Sequence, residues 1–368
     1  MRARLTVLLS LMVVSCTNIN KGNDSIVSTV IEFSPDGIEQ SLAECVDSVS
    51  FLVLKENEDN AFGNVDKVVV ENDMLYVGDF RNKKIVSFYM NGDPGFVIDA
   101  QGRGPGEYLE IHSFSVDKNH VYILDNYQQK IHLFSSLDGR FERSLDLPVL
   151  ADDLEVLTNG GFVLAYAPTG INAPDPRNED QKFRVLITDP NLKITNGFLE
   201  YSDNESIAFH RYLNAYDGKI VFASFGEDKF YFFNRENGDL MESVEIKSNT
   251  TLPYEYRSDI HNADSEQYSS IMDVPFFCNG FASFVYKQAR QGNSYVIDLK
   301  EKKILTASTD NARNAIVGVV GSADDYFICS WSRPIYDFMV MNGFTPADKA
   351  TEEAIHRDEP FIVKCHMK

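Results

Sequence analysis

Residues 74–88 read MLYVGDFRNKKIVSF, and residues 120–134 read HVYILDNYQQKIHLF. Laid over one another without a gap, Tyr76 falls on Tyr122, Asp79 on Asp125, Lys84 on Lys130, Ile85 on Ile131 and Phe88 on Phe134, all at an offset of 46 residues. Five identities at one offset mark a repeat. Inside each copy apolar and polar residues alternate with period two, in short runs separated by turn residues. Successive side chains of an extended chain point to opposite faces, so this period predicts half-buried strands. A weaker copy at 220–233, IVFASFGEDKFYFF, keeps Lys229 and Phe233 at the same spacing and has Ser224 where the others have aspartate.

Fainter units with the same rhythm surround 161–186, 280–298 and 315–331, giving six in all, at 65–106, 111–148, 152–200, 207–247, 271–308 and 314–368. A period of 40–50 residues signals propellers or solenoids. The first unit divides into strands at 65–70, 74–79, 84–90 and 95–99. Four short antiparallel strands per unit suit a propeller blade. Amphipathic helical periodicity is nearly absent, which disfavours helical arrays. The predicted fold is therefore all-β, a six-bladed β-propeller over residues 47–368. Its last unit has three convincing strands, near Ile316, at 326–331 and at 361–366, and an orphan strand at 49–54 supplies the fourth. The ring is expected to close by pairing 49–54 with 361–366, which leaves no long open edge. That pairing would bring Cys45 near Cys365, making them the candidate disulfide.

Arg2 and Arg4 precede an apolar-leaning run at 5–14, the charged and apolar parts of a secretory signal. Ten residues span about 15 Å as a helix, too little to cross a bilayer. Val13-Val14-Ser15-Cys16 resembles a lipobox, which implies cleavage at 1–16 and lipid on Cys16. Residues 17–46 are read as a polar tether and lead-in. The unit at 65–108, with Tyr76-Val77-x-Asp79, Lys84-Ile85 leading into Phe88 and the trailing GRGPGEY of 102–108, resembles an NHL repeat. Beside a lipoprotein signal, it is similar to the six-bladed β-propeller lipoproteins of Bacteroidetes, a mostly uncharacterised group. The likeness covers nearly the whole mature chain, with the first two units matching strongly. It implies a lipid-anchored, monomeric binding or scaffold module at the outer membrane. Thr17 stands where inner-membrane lipoproteins typically have Asp, and the acidic cluster of surface-exported ones is missing, so the expected orientation is toward the periplasm.

Composition narrows the partners. Thirty-four basic and 55 acidic residues give a net charge of −21, which repels phosphate backbones and anionic lipid surfaces and excludes nucleic acid. Membrane contact is expected through the lipid alone. Twenty-six Phe and 17 Tyr against one Trp suit strands. Cys45, Cys278, Cys329 and Cys365 make no CxxC pair, and the seven histidines are scattered singly. No metal and no cofactor are expected. Gly102, Gly104 and Gly106 do not form a dinucleotide motif; they read as a turn between blades, with Glu107 and Tyr108 tying those blades together. Asp79 and Asp125, repeated at one position, read as turn caps rather than an acid–base pair.

Three insertions, at 167–181, 248–270 and 333–360, break the rhythm. In the third, Thr345, Pro346 and Asp348 read as N-cap, N1 and N3 of a short helix. Long loops on a rigid scaffold usually carry binding, so the candidate ligand-binding residues are those after second strands and in the insertions: Arg81, Tyr127, Arg211, Tyr212, Tyr254, Arg257, Trp331, Arg333 and Tyr336, with Arg103 beside them. Trp331 and Arg333 would offer a stacking face and a bidentate donor, suited to a sugar, carboxylate or peptide. The expected partner is a small molecule, a glycan or an envelope protein. The competing reading is an enzyme, because related propellers include lyases, lactonases and glycan-degrading enzymes. Those usually ring the channel with metal-binding His, Asp or Glu, and here His210 and Glu227 are the only nearby pair.

Overall fold

The two strong repeats fold as their alternation demands. In the computed structural model Lys67–Glu71, Met74–Asp79, Lys84–Tyr89 and Pro94–Ile98 form one antiparallel sheet in chain order. Ser113–Val116, His120–Asp125, Lys130–Ser135 and Phe141–Asp146 form the next. The structure describes residues 26–33, 42, 45–166, 182–200, 211–223, 227–256, 267–288, 291–306 and 316–368. The first and second strands of blade one are joined through Asn72 (φ 52°) and Asp73 (φ 58°). Two successive left-handed residues make the tight hairpin turn whose twist matches that of the strands. Asp217-Gly218 and Asn279-Gly280 repeat this in blades four and five.

Blade three comprises Asp153–Val156, Phe162–Ala165, Phe183–Thr188 and Ile194–Glu200, and blade four Leu213–Tyr216, Lys219–Ala223, Lys229–Asn234 and Leu240–Ser248. In blade five Ser269–Ile271 and Phe276–Cys278 both pair with Phe281–Gln288, followed by Gln291–Asp298 and Lys303–Thr306. Blade six is Val319–Ser322, Tyr326–Ser330 and Phe361–Met367, completed by Val46–Val53 as its outer strand. Val49 pairs with Cys365 and Val53 with Phe361, so the ring closes as the sequence predicts. Between blades lies an apolar filling in which Tyr76, Phe88, Phe114 and Phe134 are buried. Each such side chain contributes roughly 1.5–3 kcal/mol of transfer free energy.

Three sequence expectations are corrected. Cys45 and Cys365 are not joined. Lys368 N–H donates to Cys45 O at 2.9 Å, which puts Cys45 at the far end of the closing pair, while Cys365 sits opposite Val49. At about 3.4 Å per residue that offset exceeds the ~7 Å a disulfide can span between Cα atoms. The Cys365 sulfur lies instead 4.0 Å from that of Cys329. The lead-in is not tether throughout: Val27–Phe33 adds a fifth strand to blade four, parallel to Leu240–Ser248. Its Ile31 and Phe33 are buried, with the Phe33 ring 4.8 Å from Tyr286 and 5.1 Å from Tyr295 of blade five. In the third insertion the expected helix is present as Lys349–His356, but its cap is Asp348, which accepts from the amides of Ala350 and Thr351 at 3.0 and 3.2 Å. A second helix, Arg333–Met341, precedes it, with Pro334 in the first turn.

Candidate functional site

The first strand of each blade, Phe276–Cys278 in the case of blade five, lies innermost, and these strands touch in ring order around a central channel. Polar and charged side chains stitch them together. Lys67 of blade one reaches past blade two to Glu155 of blade three at 2.9 Å and also donates to Phe114 O at 2.8 Å. Ser115 Oγ donates to the other oxygen of Glu155 at 2.6 Å. The Lys67 and Glu155 side chains are only 3% and 5% exposed, so the pair is held out of water, with a backbone carbonyl on the ammonium and a hydroxyl on the carboxylate as further partners. Asp153 binds Ser113 Oγ on one side and the amides of Tyr212 and Leu213 on the other, the latter both at 2.8 Å. Asn214 Nδ2 donates to Pro275 O at 2.8 Å and carries the stitching on to blade five.

Inner strands all run toward the turns that join them to the second strands. At that end the channel opens into a cavity of about 170 Å³ that reaches inward to Lys67 and Glu155. Its mouth is rimmed by Glu71, Asp217 and Asp324, each in or next to such a turn. Arg235 reaches in from the turn after Lys229–Asn234. The backbone of Arg235 is pinned: its N–H donates to Gly218 O and its carbonyl accepts from Thr158 N, both at 2.9 Å. Its guanidinium is not. Arg235 Nε is buried without an acceptor, and Arg235 makes no ion pair among the described residues. Burial pushes the Glu71 carboxyl above its ordinary range; Arg235 opposes this and Asp117 adds to it.

The residues singled out from sequence do not converge. Trp331 is buried, donating to Val317 O at 3.1 Å and packing on Phe51 and Phe344. Tyr212 and Tyr336 are core residues. Arg211 pairs with Asp273 at 2.6 Å and lies over the Phe276 ring, joining blades four and five. Arg333 caps the end of helix Lys349–His356 through His356 O at 3.1 Å and faces Asp337 and Asp358. Arg81, Arg103 and Tyr127 are exposed on the long-loop face, with Tyr127 against His112. Tyr254 begins a single 3-10 turn, Tyr254–Tyr256. Cys16, Arg257 and His210 lie outside the described residues, and Glu227 is paired with Arg184 at 2.9 Å. Sequence reasoning missed Lys67, Glu71, Asp217, Arg235 and Asp324. The available signal was their place, at the ends of first strands or in the tight turns.

A closed ring of six β-sheet blades around a charged channel defines the class: a six-bladed β-propeller with its polar cavity on the short-turn face. The chain belongs to the family DUF5128, described as a 6-bladed beta-propeller, which matches residues 18–330. Its fold is similar to that of a protein assigned to export in Bacteroides fragilis NCTC 9343, with a TM-score of 0.75 and 16% identity over 94% of this chain and 100% of that one. It is also similar to a DUF4221 family member from Bacteroides vulgatus, with a TM-score of 0.50 and 10% identity over 88% and 97%. No protein of curated function matches the sequence.

Proposed function

We propose that the chain is an extracytoplasmic binding module, anchored to the envelope by lipid on Cys16, that takes a small polar ligand into the short-turn end of its channel. The observation that carries this reading is the cavity itself: a concave space lined by Glu71, Asp217, Asp324 and Arg235, none of which makes an ion pair among the described residues. A concave site with a few convergent polar groups is the usual form of a small-molecule site. The signal-like start of the chain supports export, and the likeness to a protein assigned to export in Bacteroides fragilis agrees with it.

The test is native mass spectrometry of the full-length protein purified from its own cells, beside an Ala323→Trp variant that fills the channel mouth. A non-covalent adduct held by the wild type and lost from the variant is expected; equal adducts, or none on either, would sink the channel as the site. For the anchor, Cys16→Ala should move the protein from the membrane to the soluble fraction, and retention in the membrane would refute lipidation.

A further inference from the structure

We propose that the channel mouth recognises a compact amino-carboxylate, a zwitterion carrying one carboxylate and more than one ammonium group, of the size of a free dibasic amino acid. This rests on the channel being the ligand site. Arg235 supplies the first half of the argument. In a chain of net charge −21 its guanidinium makes no ion pair among the described residues, and its Nε is buried with no acceptor. A guanidinium presents its donors as a fork that matches a carboxylate with two parallel hydrogen bonds.

The second half comes from the acids. Glu71, Asp217 and Asp324 face the same cavity, and among the described residues none of the three carboxylates meets a side-chain donor or an ion-pair partner. They outnumber the one unpaired guanidinium, because Lys67 is already committed to Glu155. Glu71 feels the charge of Arg235 yet forms no salt bridge with it. A molecule that fits must offer acceptors to Arg235 and donors to the acids at once, with an excess of positive charge.

Simpler ligands match less of this. A dicarboxylate would face three like charges, and a diamine would leave Arg235 unmatched. A divalent cation finds no group of three or more acidic, His or Cys ligands among the described residues. At about 170 Å³ the space lies below the roughly 300–1,000 Å³ of sites for drug-sized molecules, which limits the ligand to something small.

The experiment is isothermal titration calorimetry on the full chain in detergent, with L-lysine, cadaverine and glutarate as probes. L-lysine should bind, and cadaverine and glutarate should bind at least tenfold more weakly. Arg235→Gln should weaken L-lysine by tenfold or more at unchanged melting temperature, with a smaller loss for Glu71→Gln. The proposal is overturned if cadaverine binds as tightly as L-lysine, if Arg235→Gln binds it as tightly as the wild type, or if no probe binds. Should the probes fail while another molecule is retained by the wild type and lost from Ala323→Trp, the ligand class falls and the channel reading stands.

Discussion

Asp79 and Asp125 occupy one structural position twice, and both do what a repeated aspartate before a turn suggests. Asp79 accepts from the amides of Gly63, Asn64 and Asn82 and from the Asn82 side chain. Asp125 accepts from Leu109 and Gln128. Burial works against ionisation of Asp79, but these donors outweigh it and hold the carboxyl below its ordinary range. The GRGPGEY segment is equally legible. Glu107 accepts from Gly104 N at 2.7 Å, and Tyr108 donates to Lys83 O at 2.8 Å while packing on Phe134 of blade two. Gly106 has φ +82°, and a Cβ there would lie 2.5 Å from the Phe141 ring. Gly106→Ala should therefore cost about 1–3 kcal/mol, seen as a lower urea midpoint at unchanged slope. His132 makes a different prediction. It is 1% exposed, Nδ1 meets Ser144 Oγ at 2.9 Å and Nε2 has no partner. Burial lowers its pKa, with Asp125 opposing and Lys130 reinforcing the shift, so the folded state prefers the neutral ring. The unfolded chain takes up a proton near pH 6.5. Stability should thus be full above that pH and fall as pH drops through it, by at most about 1.4 kcal/mol per pH unit from this residue. His132→Leu should flatten the slope between pH 7 and 5 in urea titrations; an unchanged slope would show that other groups set it.

At the scale of elements, legibility followed locality. The closing strand could be inferred because the last unit was one strand short, and its partner was fixed by ring geometry. The strand Val27–Phe33 carries the same kind of alternation, with Thr29, Ile31 and Phe33 turned inward, yet belongs to no repeat. Its partner is 215 residues away at the Glu32–Lys247 contact and runs parallel, so no hairpin signal announces it. The capping residue of Lys349–His356 was misplaced because two acceptors, Thr345 and Asp348, compete on paper. Only Asp348 receives the helix amides. The fifth strand has a testable role: it covers the outer edge of blade four and places Phe33 against blade five. Phe33→Ala should destabilise the protein by about 3–5 kcal/mol if the site cannot collapse. It should also raise amide exchange across Leu240–Ser248 before the rest of the ring, which hydrogen exchange with mass spectrometry would resolve. Uniform exchange in all blades would mean that the strand is not a separate protective element.

Across the whole molecule, the ring was written in the sequence and the channel was not. Period, strand number and closure are local or repeated features. The channel groups Glu71, Asp217, Arg235 and Asp324 come from three different blades and share no spacing; only closure of the ring brings them together. The arginines and aromatics after second strands and in the insertions are partly spent on packing and ion pairs, as Trp331 and Arg211 are. The same convergence governs stability. Lys67 and Glu155 stand on blades one and three, so their contact forms only when blade two is seated between them. Lys67→Met should leave a carboxylate buried with only Ser115 for company and cost about 3–5 kcal/mol. Glu155→Leu strands the ammonium in the same way. The double variant replaces both charges with apolar groups and should recover most of the loss, because desolvation of the pair offsets most of its attraction. Urea unfolding of the four proteins gives the coupling energy directly. Additive single losses would show that the two charges act independently, and that the channel wall is held by the blades' apolar faces alone.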